Sequence, residues 1–152
     1  LLAVHMTQLT GHEIARCAAT GVQVLHSPES NLKLASGLCP VQGLLDAGIN
    51  VALGTDQFPF EPNDGTIATV REAEYYVEAG MTPLEALRAA TIAPARLLGL
   101  EDAIGSITPG KCADIVALES DPSENISALR SLLFVIKSGR IYHDARPNRL
   151  LE

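Results

Sequence analysis

Three short apolar runs, Leu2-Ala3-Val4, Val22-Gln23-Val24-Leu25 and Ile49 to Leu53, each lead into a side chain able to do chemistry. The first runs into His5, the second into His26, and the third passes through Gly54-Thr55 to Asp56. Helical periodicity fills the gaps. Thr10 to Ala19 puts Ile14, Cys17 and Ala18 on one face, with Gly21 as the stop. Pro40 opens a second helix through Leu44, Leu45 and Ala47, stopped by Gly48. Short apolar runs bounded by turn residues read as buried strands, and strand alternating with helix specifies βαβαβ. Such a unit makes a parallel sheet joined by right-handed crossovers. Parallel α/β folds carry their chemistry at the carboxyl ends of the strands. A lone Asp there is ordinarily a turn former or helix cap, and a lone His hydrogen-bonded structure. Three successive strand ends bearing His, His and Asp read instead as a site.

The rest of the chain divides by texture. His26-Ser27-Pro28-Glu29-Ser30-Asn31 reads as a polar loop, and Gln57 to Asp64 as a second loop. A helix is predicted over 66–79. Thr82-Pro83-Leu84-Glu85 opens the next with a capping box and Pro at the first helical position, reaching about Ala90. Ala93 to Leu98 reads as a short helix closed by Gly99. Beyond residue 100 come strand-like runs at 114–118, 132–137 and 140–142, with Ser138-Gly139 as a tight turn and no helix between them. These predict a β/α region over 1–103, a small β subdomain over 104–145 and a mobile tail over 146–152.

Charge and composition narrow the function. The net charge is −7 and the 11 Lys and Arg are scattered, which argues against phosphate-backbone binding. No apolar stretch reaches the roughly 18 residues of a membrane span. The chain has 3 Cys with no CxxC spacing, read as small buried side chains in a reducing, cytoplasmic setting. Leu1-Leu2-Ala3-Val4 opens inside an apparent strand without a Met, which reads as a chain cut from something longer.

The residues carry a resemblance. Strand-end His5, the stretch "HSPESNLKLASG" from His26 to Gly37, and Gly54-Thr55-Asp56 resemble the carboxyl-terminal part of the amidohydrolase superfamily of metal-dependent hydrolases. His26 follows His5 by 21 residues and Asp56 follows it by 51, spacings like those of the family. Residues 1–56 resemble the methylthioadenosine/S-adenosylhomocysteine deaminases and their chlorohydrolase relatives. Residues 56–145 are similar to the imidazolonepropionase-like and Xaa-Pro dipeptidase-like branch. The deaminase branch usually continues past its Asp with Ser-Asn-Asn, where this chain has Gln57-Phe58-Pro59. The chain reads as a mosaic of the two, joined near Asp56.

The resemblance implies strands six to eight of a (β/α)₈ barrel followed by part of a small β-sandwich. A whole barrel takes about 250 residues, so five strands, with their His-x-His pair and fifth-strand His, would lie elsewhere. It implies a divalent metal, zinc first, iron or manganese as alternatives, that generates hydroxide near neutral pH. Asp56 would ligate the metal and act as general base. His5 would hydrogen-bond the attacking water or the oxyanion, or ligate a second metal. His26 would lie near a small-molecule substrate, or be bonded to backbone as structure. Ser30, Asn31 and Lys33 would shape the loop, and His12 and His143 would be bystanders. The reading is a metal-dependent hydrolase of a non-peptide C–N bond, of deaminase type. Its rivals are a cyclic amidase or dipeptidase, an inactive half-barrel serving binding or assembly, and a recombined chain. Its partners would be a homo-oligomer mate or the missing barrel portion.

Overall fold

The computed structural model describes residues 1–56 and 66–146. The loop expected over 57–64 and the last six residues of the expected tail lie outside them. β1 (Leu2–Val4), β2 (Gln23–His26) and β3 (Val51–Leu53) form a parallel sheet in that order. α1 (Gly11–Ala19) joins the first pair, and α2 (Pro28–Lys33) and α3 (Val41–Asp46) lie between the second. α4 (Thr66–Glu78), α5 (Pro83–Ala90) and α6 (Ile92–Leu98) follow. β4 (Ile115–Leu118), β5 (Leu132–Lys137) and β6 (Arg140–Asp144) then build an antiparallel meander, with a 3₁₀ helix, Ile126–Arg130, between β4 and β5. No helix of the described residues is long and apolar enough to cross a membrane.

Local chemistry sets the helix ends. Thr10 caps α1 and Thr82 caps α5, each in a reciprocal box with the Glu three residues on. Gly99 ends α6 in the left-handed conformation at φ 68°. The core gathers Val24 and Val51 of the sheet, Leu44 of α3, Tyr76 of α4, Met81 and the alanines of α5. Ile126 of the 3₁₀ helix belongs to the same cluster, so the core runs on past residue 104. Ser127 Oγ and Arg130 Nε both donate to Glu74 Oε1 of α4, at 2.8 and 2.9 Å, and secure that joint from outside.

Three expectations are corrected. Residues 28–33 are helix, where a loop is expected from the Pro and the polar run. Pro28 stands at the first helical position, where its fixed φ helps and its missing N–H is no loss, and Lys33 pairs with Glu29 one turn back at 3.5 Å. The last strand runs on to Asp144, beyond the expected 140–142, and Arg146 of the expected tail folds back onto the Asp144 carboxylate. Of the three cysteines, all free, Cys39 is buried, Cys17 half-buried, and Cys112 exposed rather than inside.

Candidate active site

The three strand-end residues converge at the carboxyl edge of the parallel sheet. β1 and β3 are separated by β2, so His5 and Asp56 must reach across its end to meet. They do so through an unusual backbone. His5 has φ 67°, its neighbour Met6 φ 52°, and Asp56 φ 47°. Left-handed residues other than Gly are uncommon, and in clusters they mark sites where local strain is held by the surroundings. His5 is held by its own N–H, which continues the ladder to Leu25 O at 2.9 Å. With both chains so turned, His5 Nε2 stands 3.6 Å from Asp56 Oδ2. Both side chains keep contact with solvent, at 37% and 50% exposure.

Ser30, the third residue of α2, donates its hydroxyl to Asp56 Oδ2 at 2.7 Å. The next residue, Asn31, is buried and pairs through Nδ2 with His26 Nδ1 at 3.1 Å. His26 is only 3% exposed. Its ring leans on Tyr76 at 5.6 Å and also bonds the His5 backbone. Burial, and then the nearby His5, depress its pKa to about 4. A neutral imidazole accepting at Nδ1 carries its proton on Nε2, on the side of the His5 carbonyl. His26 therefore lies beneath the His5–Asp56 pair, with its ring nitrogens engaged inside the protein.

Behind this layer sits α4. Tyr76 is fully buried, and its hydroxyl reaches His26 O at 3.0 Å and Ala52 O at 3.3 Å, spanning β2 and β3. Glu72 is also fully buried. Its Oε2 accepts the Glu29 N–H at 3.0 Å, while its Oε1 has no partner among the described residues. Burial drives its pKa up to about 7. The Glu29 side chain is held by Arg71 at 3.1 Å and Lys33 at 3.5 Å. Gly54 leaves the gap through which the layers close: a Cβ there would stand 3.0 Å from Ser27 Oγ and 3.2 Å from Leu25 Cγ.

Sequence reasoning gave Ser30 a shaping role and passed over Glu72 and Tyr76. One signal was present: Glu72 precedes Tyr76 by four residues, so a carboxylate falls on the same helix face as a core aromatic. His12, in α1, and His143, in β6, are exposed.

His5 and Asp56 suit a metal in type and spacing. Two N and O ligands about 2.1 Å from a tetrahedral zinc stand roughly 3.4 Å apart, close to the 3.6 Å observed. His5 Nδ1 is buried with no partner among the described residues. Two ligands do not complete a site, and no group of three His, Cys, Asp or Glu among the described residues could hold a metal.

Comparison with known proteins places the chain in a family. The sequence pattern of the amidohydrolase family matches residues 1–142. The chain is 42% identical over 122 residues to a 5-methylthioadenosine/S-adenosylhomocysteine deaminase of Teredinibacter turnerae, covering 76% of this chain and 28% of that protein. It is 32% identical over 160 residues to the enzyme of the same name from Syntrophobacter fumaroxidans, covering 99% of this chain and 36% of the relative. Its fold superposes with TM-score 0.71 and 38% identity on the crystal structure of a zinc-bound adenosine deaminase from Xanthomonas campestris, covering 93% of this chain and 36% of that one. The chain thus spans about a third of the length of these relatives.

Proposed function

The chain belongs to the amidohydrolase family, and on that premise we propose that it forms the last three strands, six to eight, of a (β/α)₈ barrel and part of its β-sandwich. The whole would be a metal-dependent hydrolase of a non-peptide C–N bond, specifically a deaminase acting on a small adenine-type substrate. The observation that supports this most is the meeting of His5 and Asp56 across the end of β2, 3.6 Å apart. The relatives at 42% and 32% identity are named deaminases, and the adenosine deaminase neighbour holds zinc.

In this reading His5 and Asp56 are two of the metal's ligands, with zinc the best fit to their chemistry. When bound, such an ion makes water a nucleophile near neutral pH and polarises the electrophile. Asp56 takes the water proton and delivers it to the departing amine. Water adds at the amine-bearing carbon, the C–N bond breaks, and ammonia leaves. Where His5 is not itself ligating the metal, it donates toward the oxygen where charge develops, its backbone fixed by the β2 ladder. Ser30 donates to Asp56 Oδ2, the oxygen that faces His5, and so fixes the carboxylate beside it. His26, buried beneath the pair with its ring nitrogens engaged, bears on the substrate only through His5 and Asp56 above it.

Two ligands are too few for tight binding, so we expect this chain alone to hold zinc weakly. The free β1 edge, with Leu2 and Val4 each 46% exposed, would be covered by the preceding barrel strands or by a second copy. Free Cys17, Cys39 and Cys112 suit a reducing, cytoplasmic setting.

The test is ammonia release by the full-length zinc-loaded protein offered methylthioadenosine, S-adenosylhomocysteine or adenosine. Turnover of any of these supports the proposal. Hydrolysis of a cyclic amide or dipeptide, with all three purines untouched, would move the protein to the other branch.

A further inference from the structure

We propose that Glu72 is a positioning residue for Asp56: from α4 it fixes the first turn of α2, and with it the Ser30 hydroxyl that holds the Asp56 carboxylate. The inference rests on the reading of Asp56 as the proton acceptor.

A helix start leaves main-chain N–H groups without partners, and a side chain at the N-cap ordinarily supplies one. Ser27 occupies that position in α2 and makes no capping bond. Pro28 has no N–H. The next donor is Glu29 N–H, and its acceptor is Glu72 Oε2, 3.0 Å away and 43 residues on in the chain. α2 is thus capped in trans, by a helix from another part of the fold. The neighbouring Arg71 adds a second tie, to the Glu29 side chain at 3.1 Å. Two consecutive residues of α4 therefore hold one residue of α2 by main chain and by side chain.

The next two residues of α2 face the site. Ser30 binds Asp56 and Asn31 binds His26. Six residues make too short a helix to keep its own geometry in water. Its place has to come from the contacts of this turn. Asp56, half exposed and in a left-handed backbone, has its Ser30 bond and the facing His5 to orient it. A fully buried carboxyl with one oxygen unpaired among the described residues is an unfavourable choice for packing alone, since an apolar side chain would fill the same space without the desolvation penalty. Capping α2 gives it a use.

The experiment pairs two readouts on the full-length enzyme: amide hydrogen exchange across residues 29–31, and kcat and KM with the best purine substrate. Glu72→Leu should speed exchange in that turn at least tenfold. It should lower kcat about 10- to 100-fold, the range for groups that orient a metal ligand, with KM within about twofold. Ser30→Ala should lower kcat similarly while leaving the exchange slow, and the double variant should be no worse than the poorer single. Glu72→Gln keeps the acceptor and should restore slow exchange and most of kcat. Unchanged exchange in Glu72→Leu overturns the clamp whatever the activity, and multiplicative losses in the double variant overturn the route through Ser30. If Glu72→Leu does not fold, the amide variant decides: a tenfold loss of kcat there, with slow exchange, would show that the carboxyl acts other than by positioning. A wild type with no purine turnover sinks the proposed reaction, and the exchange result alone then supports or overturns the clamp.

Discussion

The molecule contains two three-stranded sheets, and they are built in opposite ways. In the parallel sheet Val24, Val51 and Ala52 are at most 2% exposed, because helices cover them. In the antiparallel sheet every residue of β6 is exposed and none of β5 is fully buried. The first sheet is held by packing against α3 to α5, the second by ladder hydrogen bonds and by the 3₁₀ helix that inserts Ile126 into the shared core. Titratable groups divide the same way. Around the parallel sheet burial displaces them far: Glu72 up, His26 down. In the β region the shifts come from surface partners, as when Lys137 lowers the pKa of Asp114. The half-exposed His5–Asp56 pair thus rests on a layer of buried polar groups, Glu72 and His26, that the antiparallel sheet does not provide.

The widest separation between the regions should appear in catalysis. Asp56→Asn should reduce kcat of the full-length enzyme by about 10³-fold or more, since the amide cannot accept the proton. His5→Ala should cost about 10²- to 10³-fold. His143→Ala, on exposed β6, should leave kcat unchanged. Steady-state kinetics on the three variants breaks the comparison if His143→Ala resembles the others.

Stability should differ next. Leu44 is 0% exposed in α3, so Leu44→Ala should destabilise by about 2–5 kcal/mol. Ile141 is 57% exposed in β6, so Ile141→Ala should stay within about 0.5 kcal/mol. Urea unfolding of both variants is the check, and equal losses would mean that β6 is covered in solution.

The pH dependence should have opposite signs in the two regions. Glu72 titrates near 7 in the folded chain, against an ordinary 4.5 unfolded. Its folded form binds the proton more tightly, so its contribution is full below 4.5 and is lost as pH rises through 7. The stability of the wild type relative to Glu72→Gln should therefore fall across that window, by on the order of a few kcal/mol. Asp114 is depressed by Lys137, so its contribution is present above its unfolded pKa and lost as pH falls through the folded one. Asp114→Asn should narrow its deficit against wild type on acidification. Denaturation series from pH 4 to 8 for the first pair, and below pH 4 for the second, test both signs.

A modest effect is expected at the joint. Arg130 meets Glu74 through Nε to Oε1 at 2.9 Å and Nη2 to Oε2 at 2.5 Å, with 42% of its own side chain exposed. Arg130→Ala should cost about 1 kcal/mol or less. A larger loss would show that the ion pair, more than Ile126, holds the β region to the helices.

The same contrast explains what could be read in advance. The parallel unit was legible because buried strands are written as apolar runs and its helices carry stops such as Gly21 and Gly99. The caps at Thr10 and Thr82 are local, so four residues suffice to find them. The strand ends His5, His26 and Asp56 stood out for the same reason. What was not legible depends on contacts far along the chain. α2 looks like a loop because its cap is Glu72, 43 residues on. The 3₁₀ helix, begun by Asn125 accepting from Ser127 N–H, carries too short a pattern to separate from a turn. The left-handed backbone at His5 and Asp56 leaves no mark in composition, since neither residue is Gly.

Tyr76 closes the sheet with one proton and two claimants. Its hydroxyl stands 3.0 Å from the carbonyl of His26 and 3.3 Å from that of Ala52, on adjacent strands. A single O–H shared between two oxygens serves both only while their spacing holds. If β2 and β3 move apart or slide, the proton must settle on one carbonyl and abandon the other. The phenol is therefore a built-in gauge: its O–H stretching frequency reports the separation of the two strands whose ends carry His26 and lead to Asp56.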